Sequence, residues 1–130
     1  MIELVLPWPP SVNHYWRMWR GRMLISREGR AFRKSVCAAL TQMGVQPLGG
    51  PLAVAIELYP PDRRRRDADN SQKATLDALQ HGGAFHDDSQ VFWLLTKKGA
   101  VVPGGKVVVR IAEGSAAELG FPQNEPLCMN

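Results

Sequence analysis

The stretch Leu52-Ala53-Val54-Ala55-Ile56-Glu57-Leu58-Tyr59, closed by Pro60-Pro61 and leading through a charged run to Asn70-Ser71-Gln72-Lys73-Ala74-Thr75-Leu76-Asp77-Ala78-Leu79-Gln80, decides the fold. Its first part is rich in apolar residues and reads as a strand, which the two prolines end. A helix begins at Asp69 or Asn70 and stops near Gln80, with Gly82 and Gly83 beyond it. Upstream, Ser26 is a good N-cap for a helix from Arg27 to Gln42, and Gly44 supplies the stop. Ala31, Phe32, Val36, Ala39, Leu40 and Met43 recur there at three- and four-residue spacing, with Arg27, Arg30, Arg33 and Lys34 expected on the solvated side. Leu4–Leu6 reads as a short strand, and Pro7–Leu24 as irregular, broken by Pro7, Pro9, Pro10 and Gly21. Downstream, Gln90–Lys98 and Lys106–Ala112 read as strands joined through Pro103-Gly104-Gly105. The order β-α-β-α-β-β predicts one small α+β domain over residues 1–112, a mixed β-sheet packed with two helices. Residues 113–130 show no periodicity and are expected to form a flexible C-terminal tail. There is no internal repeat and no low-complexity tract.

A chain of 130 residues and 14.4 kDa has room for one domain. Surface scaling buries about two thirds of the open chain's area, enough for a core without disulfides or a structural metal. With 45% apolar and 22% charged residues the composition is that of a soluble globular protein. No apolar run approaches the ~20 residues of a membrane span. The first ten residues lack a basic n-region, so no secretory signal is expected. Cys37 and Cys128 are too few and too far apart for a Cys-based zinc site or a disulfide framework, which points to a reducing cytoplasm. The net charge is +4, but all sixteen basic residues lie before position 113, against nine acidic ones there. A small basic body implies a polyanionic partner. Charge alone does not choose among DNA, RNA and an anionic membrane.

The chemistry is concentrated in Asp62-Arg63-Arg64-Arg65-Arg66-Asp67-Ala68-Asp69-Asn70-Ser71-Gln72-Lys73. Asp67 and Asp69 point the same way if the segment is extended, and Asp69 and Lys73 share a face across a helix start. Two carboxylates, an amide and an ammonium can thus gather around a small volume. Carboxylate oxygens are the ligands that Mg²⁺ or Mn²⁺ prefers, completed by water and substrate phosphate. Arg63 and Arg65 would project opposite to Arg64 and Arg66, so the four cannot share one purpose. The alternative is a solvated turn in which the acids neutralise arginines and cap a helix. A second acidic pair, Asp87-Asp88, lies in another helix-to-strand turn, and the sheet could bring the two turns together. On spacing alone the catalytic and structural readings stand level.

The other basic element runs Trp8-Pro9-Pro10-Ser11-Val12-Asn13-His14-Tyr15-Trp16-Arg17-Met18-Trp19-Arg20-Gly21-Arg22. Interleaved aromatics and arginines can stack on unpaired bases and hold phosphates; the alternative gives the aromatics to a core edge or an interface. For Trp8 packing is the better reading. His14 and His86 have no partner histidine at metal spacing and read as polar loop residues. Solvated faces explain Lys97, Lys98, Lys106 and Arg110, although Lys97 or Lys98 could touch a DNA backbone.

At these residues the chain resembles the RusA-type Holliday junction resolvases. The resemblance covers about residues 1–112 and rests on Pro9-Pro10-Ser11-Val12-Asn13 with Tyr15 and Arg17, on Arg65-Arg66-Asp67-Ala68-Asp69-Asn70 with Lys73 and Asp77-Ala78-Leu79, and on Asp87-Asp88-Ser89-Gln90-Val91. It implies a homodimeric, Mg²⁺-dependent endonuclease that cuts four-way DNA junctions symmetrically in recombination and repair, often phage- or prophage-encoded. It also implies Asp67, Asp69 and Asp88 as metal ligands, Lys73 as a catalytic lysine and Asn70 in support. Asn13, Tyr15, Arg17, Arg20 and Arg22, with Arg63, Arg64, Arg65 and Arg66, would contact DNA. Ala68 and Ser71 replace the larger apolar residues usual in the family, which implies looser packing behind the site, and His86 stands where an apolar residue is commoner. The rivals are a non-catalytic basic nucleic-acid-binding module and a metal-dependent nuclease for flaps or RNA. No organic cofactor is expected, and a membrane-surface role lacks an amphipathic basic helix.

Overall fold

A computed structural model describes residues 1–120 and places a four-stranded sheet at the centre. In chain order the elements are β1 (Ile2–Pro7), α1 (Val12–Tyr15), β2 (Trp16–Trp19), β3 (Arg22–Ile25), α2 (Arg27–Gln42), β4 (Leu52–Tyr59), α3 (Ala68–His81), β5 (Val91–Lys98) and β6 (Lys106–Glu113). Short 3-10 turns occupy Asp88–Gln90 and Ala116–Leu119. The sheet order is β1-β6-β4-β5, with β4 and β5 parallel and the other pairs antiparallel. This is the single mixed α+β domain that the element order predicts.

Period-two alternation divides the sheet into two faces. On one face Leu52, Val54, Ile56 and Leu58 of β4 join Val107, Val109 and Ile111 of β6 and Leu4 and Leu6 of β1. They pack against Phe32, Val36 and Leu40 of α2 and Ala74, Ala78 and Leu79 of α3. Each large side chain so buried is worth about 1.5–3 kcal/mol. Helix α2 starts where its cap predicts, the Ser26 hydroxyl accepting the Gly29 N–H at 2.9 Å. Gly29 is required there, because a Cβ would lie 2.4 Å from the Tyr15 carbonyl oxygen. Backbone contact at that glycine presses α2 against the end of α1.

The opposite face is thinner. Ala53, Ala55 and Ala112 are covered by Ala116 and Leu119, with Trp93 alongside. Strand β6 continues to Glu113, and Ala116 and Leu119 are buried. Residues 113–120, expected at the start of a loose tail, are therefore held to the sheet by apolar contact. The rest of that expected tail, 121–130, lies outside the described residues.

Two further expectations are corrected. Pro7–Leu24 is not irregular: it holds α1 and an antiparallel hairpin in which Trp16 pairs with Ile25, Arg17 with Leu24, Met18 with Met23 and Trp19 with Arg22. Arg20 (φ 49°) and Gly21 (φ 74°) form its two-residue turn, the positive-φ pair that matches strand twist. Arg33, assigned to the solvated side of α2, turns inward to Tyr15 and Asp77.

The unit that positions the chemistry is β4-α3-β5. A helix joining two parallel neighbours must run back antiparallel to them. The first turn of α3 therefore sits at the carboxyl ends of β4 and β5, and its last turn at their amino ends.

Candidate active site

Asp67 is the N-cap of α3. Its backbone is extended (φ −89°, ψ 125°) and its Oδ1 accepts the Asp69 N–H at 3.1 Å. Asp69 opens the helix, and both carboxylates are exposed beside the first-turn N–H groups. Lys73 follows Asp69 by four residues, exposed on the same side of the helix. Asn70, half-buried, anchors its N–H on the Asp67 carbonyl at 3.2 Å. Two acids, an amide and an ammonium thus share one helix start, as their spacing suggested.

The four arginines divide. Asp62 accepts from Arg66 Nη1 at 2.8 Å and from the Arg64 N–H at 2.9 Å, with Arg64 Nε at 3.5 Å. The Arg66 bond, above all, holds the Asp62 carboxyl well below the usual carboxylate range. Arg66 also donates to the carbonyls of Asp62 and Arg64 and lies 5.7 Å from the Trp8 ring centroid. Lys98 of β5 donates to the Arg66 carbonyl at 2.5 Å. Arg66, expected to contact DNA, is thus committed within the chain. Arg63 and Arg65 are exposed and have no hydrogen bond or ion pair among the described residues. Trp8 packs against the core, as expected.

A cleft of about 450 Å³ runs beside this turn, lined by Trp8–Ser11, Asn13 and His14 on one wall and by Arg64–Asp67, Asn70 and Ser71 on the other. Asn13, Arg64, Arg65, Asp67 and Asn70 are thereby brought together. Behind Asp67, a cavity of about 60 Å³ touches Trp8, Leu58, Ala68 and Ser71.

Asp88 stands elsewhere. Its N–H donates to the Gln80 side chain at 3.0 Å, at the far end of α3. From Asp69 to Gln80 the helix axis covers about 16 Å. Among the described residues no three His, Cys, Asp or Glu side chains lie close enough to hold a metal ion. The convergence of Asp67, Asp69 and Asp88 expected from the sequence does not occur within one chain.

Gln90, a residue that sequence reasoning missed, holds the Asp88 turn. Its Oε1 accepts from the His86 and Asp87 N–H groups at 2.8 and 2.9 Å, and its Nε2 donates to the Leu48 and Gly50 carbonyls, both at 2.9 Å. The available signal was a glutamine three residues after an N-capping aspartate. The Ser89 hydroxyl donates to Asp87 Oδ2 at 2.6 Å and holds that carboxyl below its ordinary range.

Tyr15, expected on the DNA-binding surface, is fully buried. Its hydroxyl donates to Asp77 and accepts from Arg33 Nε at 2.8 Å, while Arg33 Nη2 reaches Asp77 Oδ2 at 2.8 Å. Burial, reinforced by Asp77, raises the phenol well above its usual range. The triad ties α1, α2 and α3 together. Arg17, Arg20 and Arg22 do face solvent, on the hairpin.

Residues 7–112 match the family model described as endodeoxyribonuclease RusA. The chain is 44% identical over 115 residues to a protein of Escherichia coli K12 named crossover junction endodeoxyribonuclease RusA, covering 85% of this chain and 93% of that one. A protein of that name from Enterobacteria phage 82 matches at 44%, and one from Shigella sonnei at 45%, with the same coverage. Fold, acidic helix start and these likenesses place the chain among the endodeoxyribonucleases, hydrolases of DNA phosphodiester bonds. Within that class it belongs to the RusA family. Among the described residues no helix is long and apolar enough to cross a membrane.

Proposed function

We propose that the protein is a Mg²⁺-dependent, homodimeric resolvase of four-way DNA junctions, serving recombination and repair in a bacterial or phage-infected cytoplasm. The single observation that carries the dimer is the separation of Asp88 from Asp67 and Asp69. Strand β5 is a sheet edge, with Phe92 56% and Leu94 39% exposed. Asp69, Gln72, Lys73, Leu76 and Gln80 fall at three- and four-residue spacing, on one stripe of α3. That stripe borders β5, since Gln72 meets Thr96 and Gln80 meets Asp88. Two copies related by a two-fold axis perpendicular to this border run antiparallel. Asp88 of each copy then faces Asp67, Asp69 and Lys73 of the other, giving two equivalent sites.

The donor set fits a hard divalent cation: one chain offers Asp67 and Asp69, the second copy Asp88, and such ions keep several waters beside one or two carboxylates. A bound Mg²⁺ supplies Lewis-acid stabilisation of phosphoryl oxygens and lowers the pKa of water. Asn70 orients a carboxylate or a water in the cleft. Lys73 offers its ammonium to the charge that develops on the phosphoryl oxygens. Arg63 and Arg65 hold flanking phosphates, a contact that weakens with salt. The 3′ oxygen departs as the water's oxygen bonds to phosphorus, the water giving up a proton to solvent and the 3′ oxygen taking one from it.

The test is a labelled four-way junction incubated with protein in Mg²⁺, with and without chelator. Paired symmetric cuts that stop with chelator are expected. A junction that is bound but uncut in Mg²⁺ or Mn²⁺ contradicts the proposal and leaves a basic binding module. Faster cutting of flaps or RNA in a parallel panel redirects it.

A further inference from the structure

The hairpin β2–β3 carries a group of exposed large apolar side chains close together. Met18 is 63% exposed, Trp19 54% and Met23 63%, all within one narrow ribbon. Antiparallel register puts Met18 beside Met23 on one face and Trp19 beside Arg22 on the other. The guanidinium groups of Arg17 and Arg20 lie 6.0 and 5.5 Å from the Trp19 ring centroid. Beyond its own pairing the ribbon makes its main contacts with α1, which the Tyr15 triad fixes to both long helices. An apolar tip, two methionines on one face and a tryptophan flanked by arginines on the other, is therefore held out from a rigid base.

Charge selects the occupant. Arg17 and Arg20 over the Trp19 ring and Arg22 across the ribbon from it complement phosphate, whereas an apolar protein partner would leave them unpaired. A fully stacked duplex shows the tip only base edges. An aromatic ring gains by stacking where a base face is open, and methionine is among the side chains that wedge between base steps. We propose that the hairpin tip is the branch-point reader: an unstacked base lies on Trp19, Met18 and Met23 hold the step apart, and Arg17, Arg20 and Arg22 bind the flanking phosphates. This rests on the junction reading above and adds the residues that separate a junction from a duplex.

The experiment compares Trp19→Ala, Trp19→Phe and the Met18→Ser/Met23→Ser pair with the unaltered protein. Affinity is measured at one salt concentration for a four-way junction and for duplex of the same sequence, with 2-aminopurine at the branch point. Trp19→Ala and the serine pair should lose about tenfold in junction affinity while duplex affinity moves less than about twofold. The 2-aminopurine rise should shrink in both, and Trp19→Phe should restore most of it. Unchanged junction preference in Trp19→Ala overturns the inference, as does an equal loss on junction and duplex. Dissociation of the dimer in Trp19→Ala also overturns it, because the tip would then be an interface between copies. An unaltered protein that cuts junctions while Trp19→Ala keeps its selectivity sinks this inference alone; one that neither prefers nor cuts junctions sinks both.

Discussion

The two ends of α3 are built by opposite means. At its start Asp67 serves the backbone directly, capping the helix through the Asp69 N–H, so the acidic pair is placed by local hydrogen bonding within three residues. At its end Asp88 is placed by glutamines: Gln80 holds its N–H, and Gln90 ties its turn to the loop before β4. The first arrangement is local and legible in sequence; the second is tertiary. The helix between them separates acids that are expected to serve one reaction, and in the proposed function that separation requires a second copy.

The comparison breaks most completely if one end proves dispensable. Asp67→Asn keeps the cap, since asparagine caps as well as aspartate. Losing a ligand charge should cost several kcal/mol of transition-state stabilisation, about a thousandfold in cutting rate. Asp88→Asn should lose as much, and both variants should still shift a labelled junction in a gel. Near-normal cutting by either removes that acid from the site.

Gln90→Ala sharpens the contrast by loosening only the far end. Four hydrogen bonds disappear, at about 1 kcal/mol each when the groups stay dry and less where water replaces the partner. Urea unfolding should show a loss of about 2 kcal/mol, and cutting should fall about tenfold or more while junction binding holds. If cutting is unchanged where the variant is folded, Gln90 does not position Asp88.

The smallest effect concerns the near end and acid. Asp62 has a depressed folded value, so its contribution to stability is present above its unfolded value and is lost as pH falls through the folded one. Melting temperature should decline below about pH 4, and Asp62→Asn should flatten part of that decline. An identical acid limb in the variant would mean that the Arg66 pair does not contribute.

Much of the frame was readable because local signals and tertiary packing agree. Ser26 caps α2, the apolar run Leu52–Tyr59 is β4, and Phe32, Val36 and Leu40 line the buried stripe. The hairpin was missed because Met, Trp and Arg alternate too weakly in hydropathy, and the prolines just before suggested breakage; Arg20-Gly21 was the remaining turn signal. Arg33 and Tyr15 look like surface residues by charge and motif, and only their meeting with Asp77 buries them. The acidic helix start was legible from spacing. The position of Asp88 was not, because it depends on β4 and β5 being parallel neighbours, which spacing along the chain does not encode.

Mixing two inactive proteins tests the shared site most directly. Asp67→Asn and Asp88→Asn, each unable to cut alone, are unfolded together, refolded and given a four-way junction in Mg²⁺. In a mixed dimer with the acids drawn from both copies, one site carries both lesions and the other is intact, so the mixture should nick a single strand of the junction. If the three acids instead act within one chain, every site in the mixed dimer is damaged, and a mixture as inactive as its parents, with mixed dimers demonstrated, would contradict the arrangement.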